Sequence, residues 1–317
     1  MPSSFPPVDD CWFLTGPTAS GKTRVGIELA RQIGAEIVSL DSMALYRGMD
    51  IGTAKPGADD RAAVPHHLID VIEPHDEFSV AQYVESAHGA IGAIRARGRE
   101  VLFVGGTPLY LKALLRGIFE GPPADWQLRE RLRREGLERG SGALHRRLAE
   151  VDPAAAARLH PNDTRRIIRA LEVYSKTGRP ISEHQRQFDR ARPADACRVF
   201  VLDWPVDALN ARIDARVEAM FAAGLIDEVQ RLLRGPRPLS KTAAQAVGYR
   251  EVIEHLRGGP DRAETAALVK KHTRQFAKRQ RTWFRSLSEC RFVPVAGRID
   301  SPDVARRIAA RARETSG

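Results

Sequence analysis

Cysteine is nearly absent. Cys11, Cys197 and Cys290 are all the chain has, too few and too scattered for a disulfide framework, a C-x-x-C redox pair or a cysteine-rich zinc site, which fits a reducing compartment. Long apolar runs are missing as well. Nowhere do about 18 apolar residues follow one another, so no membrane span is expected. Met1 to Asp10 has no basic residue ahead of its apolar stretch, so no secretory leader is expected either. With 43% of the 317 residues apolar and 28% charged, long disordered tracts and a fibrous architecture are excluded. The length amounts to roughly two domains and needs no covalent staples to fold.

Basic residues are scarce in one part only. Residues 1–128 carry 11 Lys or Arg against 16 Asp or Glu, whereas residues 129–317 carry 39 against 24, a surplus of +15. A surplus of that size points to a polyanion, with nucleic acid ahead of an anionic membrane surface. Between Lys270 and Arg285 there are seven Lys or Arg and no acid. Lys271, Arg274, Lys278, Arg281 and Arg285 recur at three- or four-residue steps, which predicts one cationic stripe on a helix, with Phe276, Trp283 and Leu287 on another face.

The first part alternates as an α/β domain does. Cys11 to Leu14 reads as a strand, Lys22 to Ile33 as a helix, Glu36 to Leu40 as a second strand, Leu68 to Ile72 as a third, Val80 to Ala96 as a helix and Glu100 to Val104 as a buried strand. Such alternation predicts a parallel sheet with ligands at the strands' carboxyl ends. From Gly121-Pro122-Pro123 arginine-rich helical patterns replace the strands, at Trp126 to Arg139, Ala143 to Ala149, Ala154 to Leu159 and Arg165 to Ser175. Val199 to Leu202 reads as a returning strand, followed by helices at Leu209 to Ala222 and Asp261 to Phe284. The expected organisation is a core over 1–122, a helical insertion over 123–196, and core completion with basic C-terminal helices over 197–317.

Gly16-Pro17-Thr18-Ala19-Ser20-Gly21-Lys22-Thr23 matches G-x-x-x-x-G-K-[ST] between a strand and a helix. In that context backbone amides and a helix N-terminus face an anion, Lys22 neutralises phosphate oxygens, and the Thr23 hydroxyl can ligate Mg²⁺. The loop itself does not say whether the phosphates belong to a nucleotide or to another diphosphate. Asp41, at the end of the second strand, has three readings: a Mg²⁺ holder through water, a helix cap, or a general base. Thr107 likewise reads as a site residue and as an N-cap with Pro108 at the first helical position. His66-His67 would face opposite ways on a strand and lacks metal-ligand spacing, so packing roles are expected.

Taken together these segments resemble the tRNA dimethylallyltransferase (isopentenyltransferase) family over nearly the whole chain. The likeness is carried by Gly16 to Thr23, Asp41-Ser42, Tyr46 to Pro56, Gly105-Gly106-Thr107, Leu109-Tyr110, His160 to Asp163, Arg169 to Tyr174, Val247 to Arg250, Ala277 to Gln280 and Thr282-Trp283. Ala44 stands where the family usually has Gln, and Pro108 where it has Gly. The resemblance implies a P-loop-containing nucleoside triphosphate hydrolase-like parallel sheet with a helical insertion domain and C-terminal helices. It implies transfer of a dimethylallyl group from dimethylallyl diphosphate to N6 of the adenosine 3′ to the anticodon of tRNA, with Mg²⁺ as cofactor.

By the same resemblance Asp41 is the base, Thr107 a hydrogen-bond donor to the bridging oxygen and Arg216 the arginine that meets the departing pyrophosphate, ahead of Arg212. The implied tRNA contacts are Asp41, Ser42, Met43, Ala44 and Thr107; Arg129; Arg165, Arg166, Ile167, Ile168 and Arg169; Gln245, Ala246, Val247, Gly248, Tyr249 and Arg250; and Lys278, Arg279, Gln280, Arg281, Thr282, Trp283, Phe284 and Arg285. A cytoplasmic monomer of the short bacterial form, without the C-terminal zinc finger of eukaryotic relatives, is expected. Two rival readings stay open on the sequence: a small-molecule or nucleotide kinase, which ATP turnover would reveal, and a non-catalytic RNA-binding module, whose RNA binding would ignore Lys22→Ala and Asp41→Ala.

Overall fold

The computed structural model describes residues 5–8, 10–119, 121–185 and 191–313. In chain order the first strands and helices are β1 (Trp12–Thr15), α1 (Lys22–Ile33), β2 (Ala35–Ser39), α2 (Ala58–Ala63), β3 (His66–His67), α3 (Val80–Ala96), β4 (Glu100–Gly105) and α4 (Pro108–Arg116). There follow α5 (Trp126–Arg139), α6 (Ser141–Val151), α7 (Pro153–Arg158), α8 (Thr164–Thr177) and α9 (Ile181–His184). The chain closes with β5 (Val199–Asp203), α10 (Val206–Ala222), α11 (Leu225–Leu233), α12 (Lys241–Ala244), α13 (Tyr249–Leu256), α14 (Arg262–Arg285), β6 (Cys290–Pro294) and α15 (Ser301–Arg313).

Two compact units result, one within 116–190 and one made of 7–115 and 191–317. They divide a few residues before the composition change at Gly121, because α4, whose start at Pro108 the sequence signalled, carries the core chain as far as Leu115.

In the larger unit six parallel strands lie in the order β3-β2-β4-β1-β5-β6. Trp12 pairs with Leu102 and Phe13 with Val199, so β1 is central. Its run Trp12-Phe13-Leu14 is buried throughout, as a strand covered by helices on both faces must be. The helices begin and end where local chemistry permits. Gly21 at φ 87° and Gly34 at φ 68° bracket α1 in the left-handed region that favours glycine. Ser79 accepts from Gln82 N at 3.2 Å while the Gln82 side chain accepts from Ser79 N at 2.9 Å, a reciprocal cap on α3.

The expected third strand at Leu68–Ile72 is not there. The paired strand is His66–His67, against Ile37 and Val38. Leu68 and Asp70 adopt φ near 58° and 57°, outside any strand, and Asp70 is held by Lys55 Nζ at 2.6 Å. An ion pair and hydrogen bonds from Asp70 N and Val71 N to the Ala44 and Leu45 carbonyls replace the ladder in this stretch. In the smaller unit Leu132, Leu144, Leu148, Ile167 and Ile168 form a separate apolar core among α5, α6 and α8.

Candidate active site and nucleic-acid interface

Sheet order places the carboxyl ends of β2, β4 and β1 side by side, which brings Asp41, Thr107 and the loop 16–23 to one edge. The loop is held from behind. Trp204 Nε1 donates to Ser20 O at 3.1 Å, and Arg212 Nε donates to Ala19 O at 2.9 Å while its guanidinium lies 4.5 Å over the Trp204 ring. Ala19 sits at φ 62°, a left-handed conformation that costs a non-glycine residue about 1 kcal/mol or more and persists only where such contacts over-determine it. Gly16 is required by close approach: a Cβ there would meet Leu202 O at 3.0 Å and Ser20 Oγ at 3.1 Å.

Lys22 turns its ammonium inward, donating to Gly16 O at 3.0 Å and Pro17 O at 2.8 Å. Burial pushes it down to about 7, Asp41 opposes that fall and Arg216 adds to it. Arg216 is likewise lowered, first by burial, with Asp41 countering and Arg212 reinforcing. Two desolvated cations therefore face one carboxylate, and neither makes an ion pair within 4.0 Å among the described residues. Such a surplus is the electrostatic signature of an anion site. Arg216 also donates to Thr53 O at 3.4 Å, whereas Arg212 serves the loop's rear, so of the two Arg216 is the one beside Asp41.

Asp41 accepts from Met43 N at 2.9 Å, an N–H two residues on, which fixes its carboxylate. Thr107 Oγ1 accepts from Ser42 N at 3.0 Å, and Thr107 N donates to Leu40 O at 3.1 Å, tying β4's end to β2's. Of the two roles open to Thr107, the hydroxyl is bonded to Ser42, not to its own helix. Among the described residues no group of three His, Cys, Asp or Glu could hold a metal. Thr23, on the first turn of α1, and Asp41 offer one hydroxyl and one carboxylate, a hard-oxygen set too small for an all-protein cage but suited to a Mg²⁺ that keeps waters and takes phosphate oxygens.

The loop from Tyr46 to Pro56 is fixed by residues whose roles the sequence did not disclose. Lys55, its side chain only 1% exposed, reaches Tyr46 O at 2.8 Å, Asp50 Oδ1 at 2.6 Å and Asp70 Oδ1 at 2.6 Å. Glu228, buried on α11, accepts from the backbone N–H groups of Asp50, Ile51 and Gly52 at 3.0, 2.7 and 3.2 Å and from the Tyr249 hydroxyl at 2.7 Å. Gly52 has no alternative, since a Cβ would lie 2.5 Å from the Tyr249 ring. The one sequence signal for Glu228 is a carboxylate between Leu225 and Val229 on the apolar face of α11.

His67 Nε2 lies 2.6 Å from Glu36 Oε2, and Arg97, the larger influence, with His67 holds that carboxyl at about 2, while His66 Nδ1 lies 2.7 Å from Val64 O. The two histidines diverge as expected of a strand, but His67 has a carboxylate partner, contrary to expectation.

The residues read as nucleic-acid contacts separate into two groups. Arg165, Arg166, Gln245, Arg250, Lys278, Arg279, Thr282 and Arg285 are exposed, and Ser42, Met43, Ala246, Val247 and Trp283 are partly so. Ala44, Ile167, Ile168, Gly248, Tyr249, Gln280 and Phe284 are buried in the free protein. Arg129 makes two bonds to Glu172, at 2.9 and 2.8 Å, and Arg169 a third at 2.5 Å. The stripe on α14 is also partly neutralised. Arg274 pairs with Asp214, Lys270 with Glu218, and Arg281 and Arg285 lie 3.6 and 3.8 Å from Asp203. Lys271, Lys278 and Arg279 have no carboxylate within 4.0 Å among the described residues, and Arg279 lies 6.0 Å from the exposed Phe276 ring.

A family model described as IPP transferase matches residues 44–287, and one described as isopentenyl transferase matches residues 10–70. The tRNA dimethylallyltransferase of Rhodopirellula baltica is 51% identical over 308 residues, covering 94% of this chain and 92% of that one. That of Geobacter metallireducens is 47% identical over 288 residues, covering 91% and 93%. The full-length tRNA isopentenylpyrophosphate transferase of Bacillus halodurans has a similar crystal structure, with a TM-score of 0.69, 38% identity and 98% of each chain covered. A eukaryotic dimethylallyltransferase caught acting on tRNA gives 0.71 at 25% identity over 90% of this chain and 74% of that one.

Proposed function

The chain belongs to the IPP transferase family, and from that membership we propose that it transfers a dimethylallyl group from dimethylallyl diphosphate to N6 of the adenosine 3′ to the anticodon of tRNA. The products are N6-dimethylallyladenosine and diphosphate. The observation that carries this reading is the meeting of two desolvated cations, Lys22 and Arg216, with the Asp41 carboxylate beside a phosphate-type loop.

In this reaction the allylic C–O bond breaks with its electron pair going to the diphosphate, and a C–N bond forms to the adenine amine. Negative charge grows on the departing group, where Lys22, Arg216 and the loop amides stabilise it as it develops. Thr107 stands one residue from the loop's neighbour Gly106 and directs its hydroxyl to the bridging oxygen when substrate is present. The exocyclic amine must lose a proton as the new bond forms, and Asp41 takes it, a contribution of about 10²–10⁴-fold. Thr23, with waters and phosphate oxygens, would hold Mg²⁺, which would supply further charge stabilisation on the diphosphate and leave Asp41 to act as the base. The exposed cations Lys271, Lys278 and Arg279 on α14 serve the RNA backbone, and the target base leaves its stack to reach the site. Among the described residues no helix is long and apolar enough to cross a membrane. We place the reaction in the cytoplasm, carried out by a monomer.

The test is to incubate the protein with Mg²⁺, dimethylallyl diphosphate and an unmodified tRNA, and to seek prenylated adenosine by nucleoside mass spectrometry, with ATP in parallel. The expected adduct requires the diphosphate and not ATP. Asp41→Ala should lower kcat by at least about 10²-fold with tRNA affinity held within a few-fold. ATP turnover without an adduct would make the protein a kinase-like enzyme, and full activity of the variant would remove Asp41 from the base role.

A further inference from the structure

The inward face of α14 carries a polar residue where its spacing asks for an apolar one. Ala277, Gln280 and Phe284 follow one another at steps of three and four and are all buried. Gln280 is 4% exposed, and both ends of its amide are bonded to backbone. Its Oε1 accepts from Thr18 N at 2.8 Å, and its Nε2 donates to Gly106 O at 2.6 Å. Gly106 leaves room for this contact, since a Cβ there would lie 2.7 Å from Gln280 Nε2, 3.3 Å from Gly16 O and 3.5 Å from Lys22 Nζ. The amide therefore fills the seam between the phosphate-type loop and the turn that carries Thr107.

Few side chains can do this. A carboxylate accepts but does not donate, an ammonium donates but does not accept, and an aliphatic chain leaves a buried N–H and a buried C=O unpaired. We propose that Gln280 is a positioning residue for the diphosphate: from the basic helix, it holds Thr18 and Gly106-Thr107 in the spacing the leaving group requires. This assigns Gln280 a role toward the phosphate side of the reaction instead of the RNA side. It rests on the transferase reading given above. Its neighbours Lys278, Arg279 and Thr282 face outward on the same turns, so one helix presents cations to RNA and a strut to the phosphate loop.

The experiment compares wild type, Gln280→Leu and Gln280→Glu in binding of inorganic pyrophosphate by calorimetry, in tRNA binding by filter retention, and in steady-state transfer. Gln280→Leu should raise the pyrophosphate Kd and the KM for dimethylallyl diphosphate at least tenfold and lower kcat, with tRNA Kd within threefold. Gln280→Glu should share the defect at pH 8 and recover as pH falls, because a protonated carboxyl restores donation to Gly106 O while its other oxygen still accepts from Thr18 N. Wild type shares only the pH dependence that Lys22 brings, so the ratio of the Gln280→Glu Kd to the wild-type Kd at each pH should fall toward one as pH drops. A raised tRNA Kd with unchanged pyrophosphate Kd would overturn the proposal and return Gln280 to the RNA interface, and so would a Gln280→Glu defect with no pH rescue. Wild type that binds pyrophosphate but makes no prenyl adduct would instead refute the transferase reading, leaving the pyrophosphate comparison to judge Gln280 by itself.

Discussion

Glu172 in one compact unit and Glu228 in the other are buried for opposite ends. Within 116–190, Glu172 is fully buried and is met by Arg129, Arg169 and the Asp125 N–H, so its negative charge is answered inside the unit. In the unit of 7–115 and 191–317, Glu36 and Glu251 are likewise met by Arg97 and Arg250, but the buried carboxylate Glu228 is answered by backbone amides and a tyrosine hydroxyl. Among the described residues, the desolvated Lys22 and Arg216 hydrogen-bond to backbone carbonyls and face the Asp41 carboxylate without pairing within 4.0 Å. At Glu172 the charge is closed within the fold, and at Lys22 and Arg216 positive charge stays open for a ligand. A buried charge is thus a structural fastener where its partners are cations and helices, and a means of shaping a site where its partner is a loop.

The sharpest way to break that contrast is to make one substitution in each unit. Glu172→Ala strands two arginines and should cost about 3 kcal/mol, because removing one partner of a buried pair leaves the other charge unanswered. For a unit of this size that lowers Tm by roughly 10 °C or more. Turnover measured well below melting should be little changed. Glu228→Ala should be comparably destabilising, but it also frees the loop whose Thr53 carbonyl anchors Arg216, so kcat should fall at least tenfold at the same low temperature. Calorimetric melting and steady-state rates on both variants decide it. Equal losses of kcat would show that the two carboxylates do the same job.

Acid should weaken the first fastener in a defined direction. Burial works to raise the Glu172 carboxyl, but the hydrogen bonds from Arg129, Asp125 N and Arg169 outweigh it and leave it below its ordinary value. Its contribution to stability is present above the usual carboxylate range and is lost as pH falls through the depressed value.

How much of this was legible beforehand follows from sequence distance. The phosphate-type loop is contiguous, lying between β1 and α1, so its motif and context could be read directly. Asp41 was legible as the residue after a strand end. Gln280 was visible in a basic segment and in the motif Ala277 to Gln280, but its tie to the phosphate-type loop was not, because its partner Thr18 lies 262 residues away. Glu228 meets the loop at Asp50 across 178 residues, a pairing no local pattern records. Periodicity found the helix at 262–285 but not the Asp203 carboxylate at the end of β5 that faces Arg281 and Arg285. At Leu68–Ile72 apolar alternation suggested a strand, and the side-chain tie of Lys55 to Asp70 decided otherwise.

The open charge of the larger unit can be titrated. Burial holds Lys22 at about 7, with Asp41 partly offsetting and Arg216 reinforcing, so near pH 8 much of it is neutral in the free protein. A bound diphosphate restores the proton, so binding should draw one in and affinity should fall by up to about tenfold per pH unit above 7. For folding the sign is the reverse of a stabilising pair. Between about 7 and the ordinary lysine value the unfolded chain holds a proton that the folded chain does not, so stability rises with pH across that window. Lys22→Met should abolish both slopes. Calorimetry of pyrophosphate binding in buffers of different ionisation enthalpy reads the proton directly, and no uptake at pH 8 would mean that Lys22 is already charged and the site less open than its geometry implies.

The smallest effect concerns the cations outside the cleft. On α14, Arg274, Arg281 and Arg285 lie within reach of Asp214 or Asp203, whereas Lys278 and Arg279 have no such partner among the described residues. If unanswered charge marks the ligand-facing surface here as it does at Lys22, Lys278→Ala with Arg279→Ala should lower the slope of log K against log salt for tRNA by about two, each lost phosphate contact removing roughly one. Arg274→Ala should leave the slope nearly unchanged, because its charge is already matched by Asp214 within the fold. Affinities measured between 50 and 200 mM salt, a range wide enough to fix such slopes to about half a unit, separate the two. A slope that fell equally for Arg274→Ala would mean that RNA draws these cations away from their carboxylates, and that the division between closed and open charge holds for the cleft but not for the helix surface.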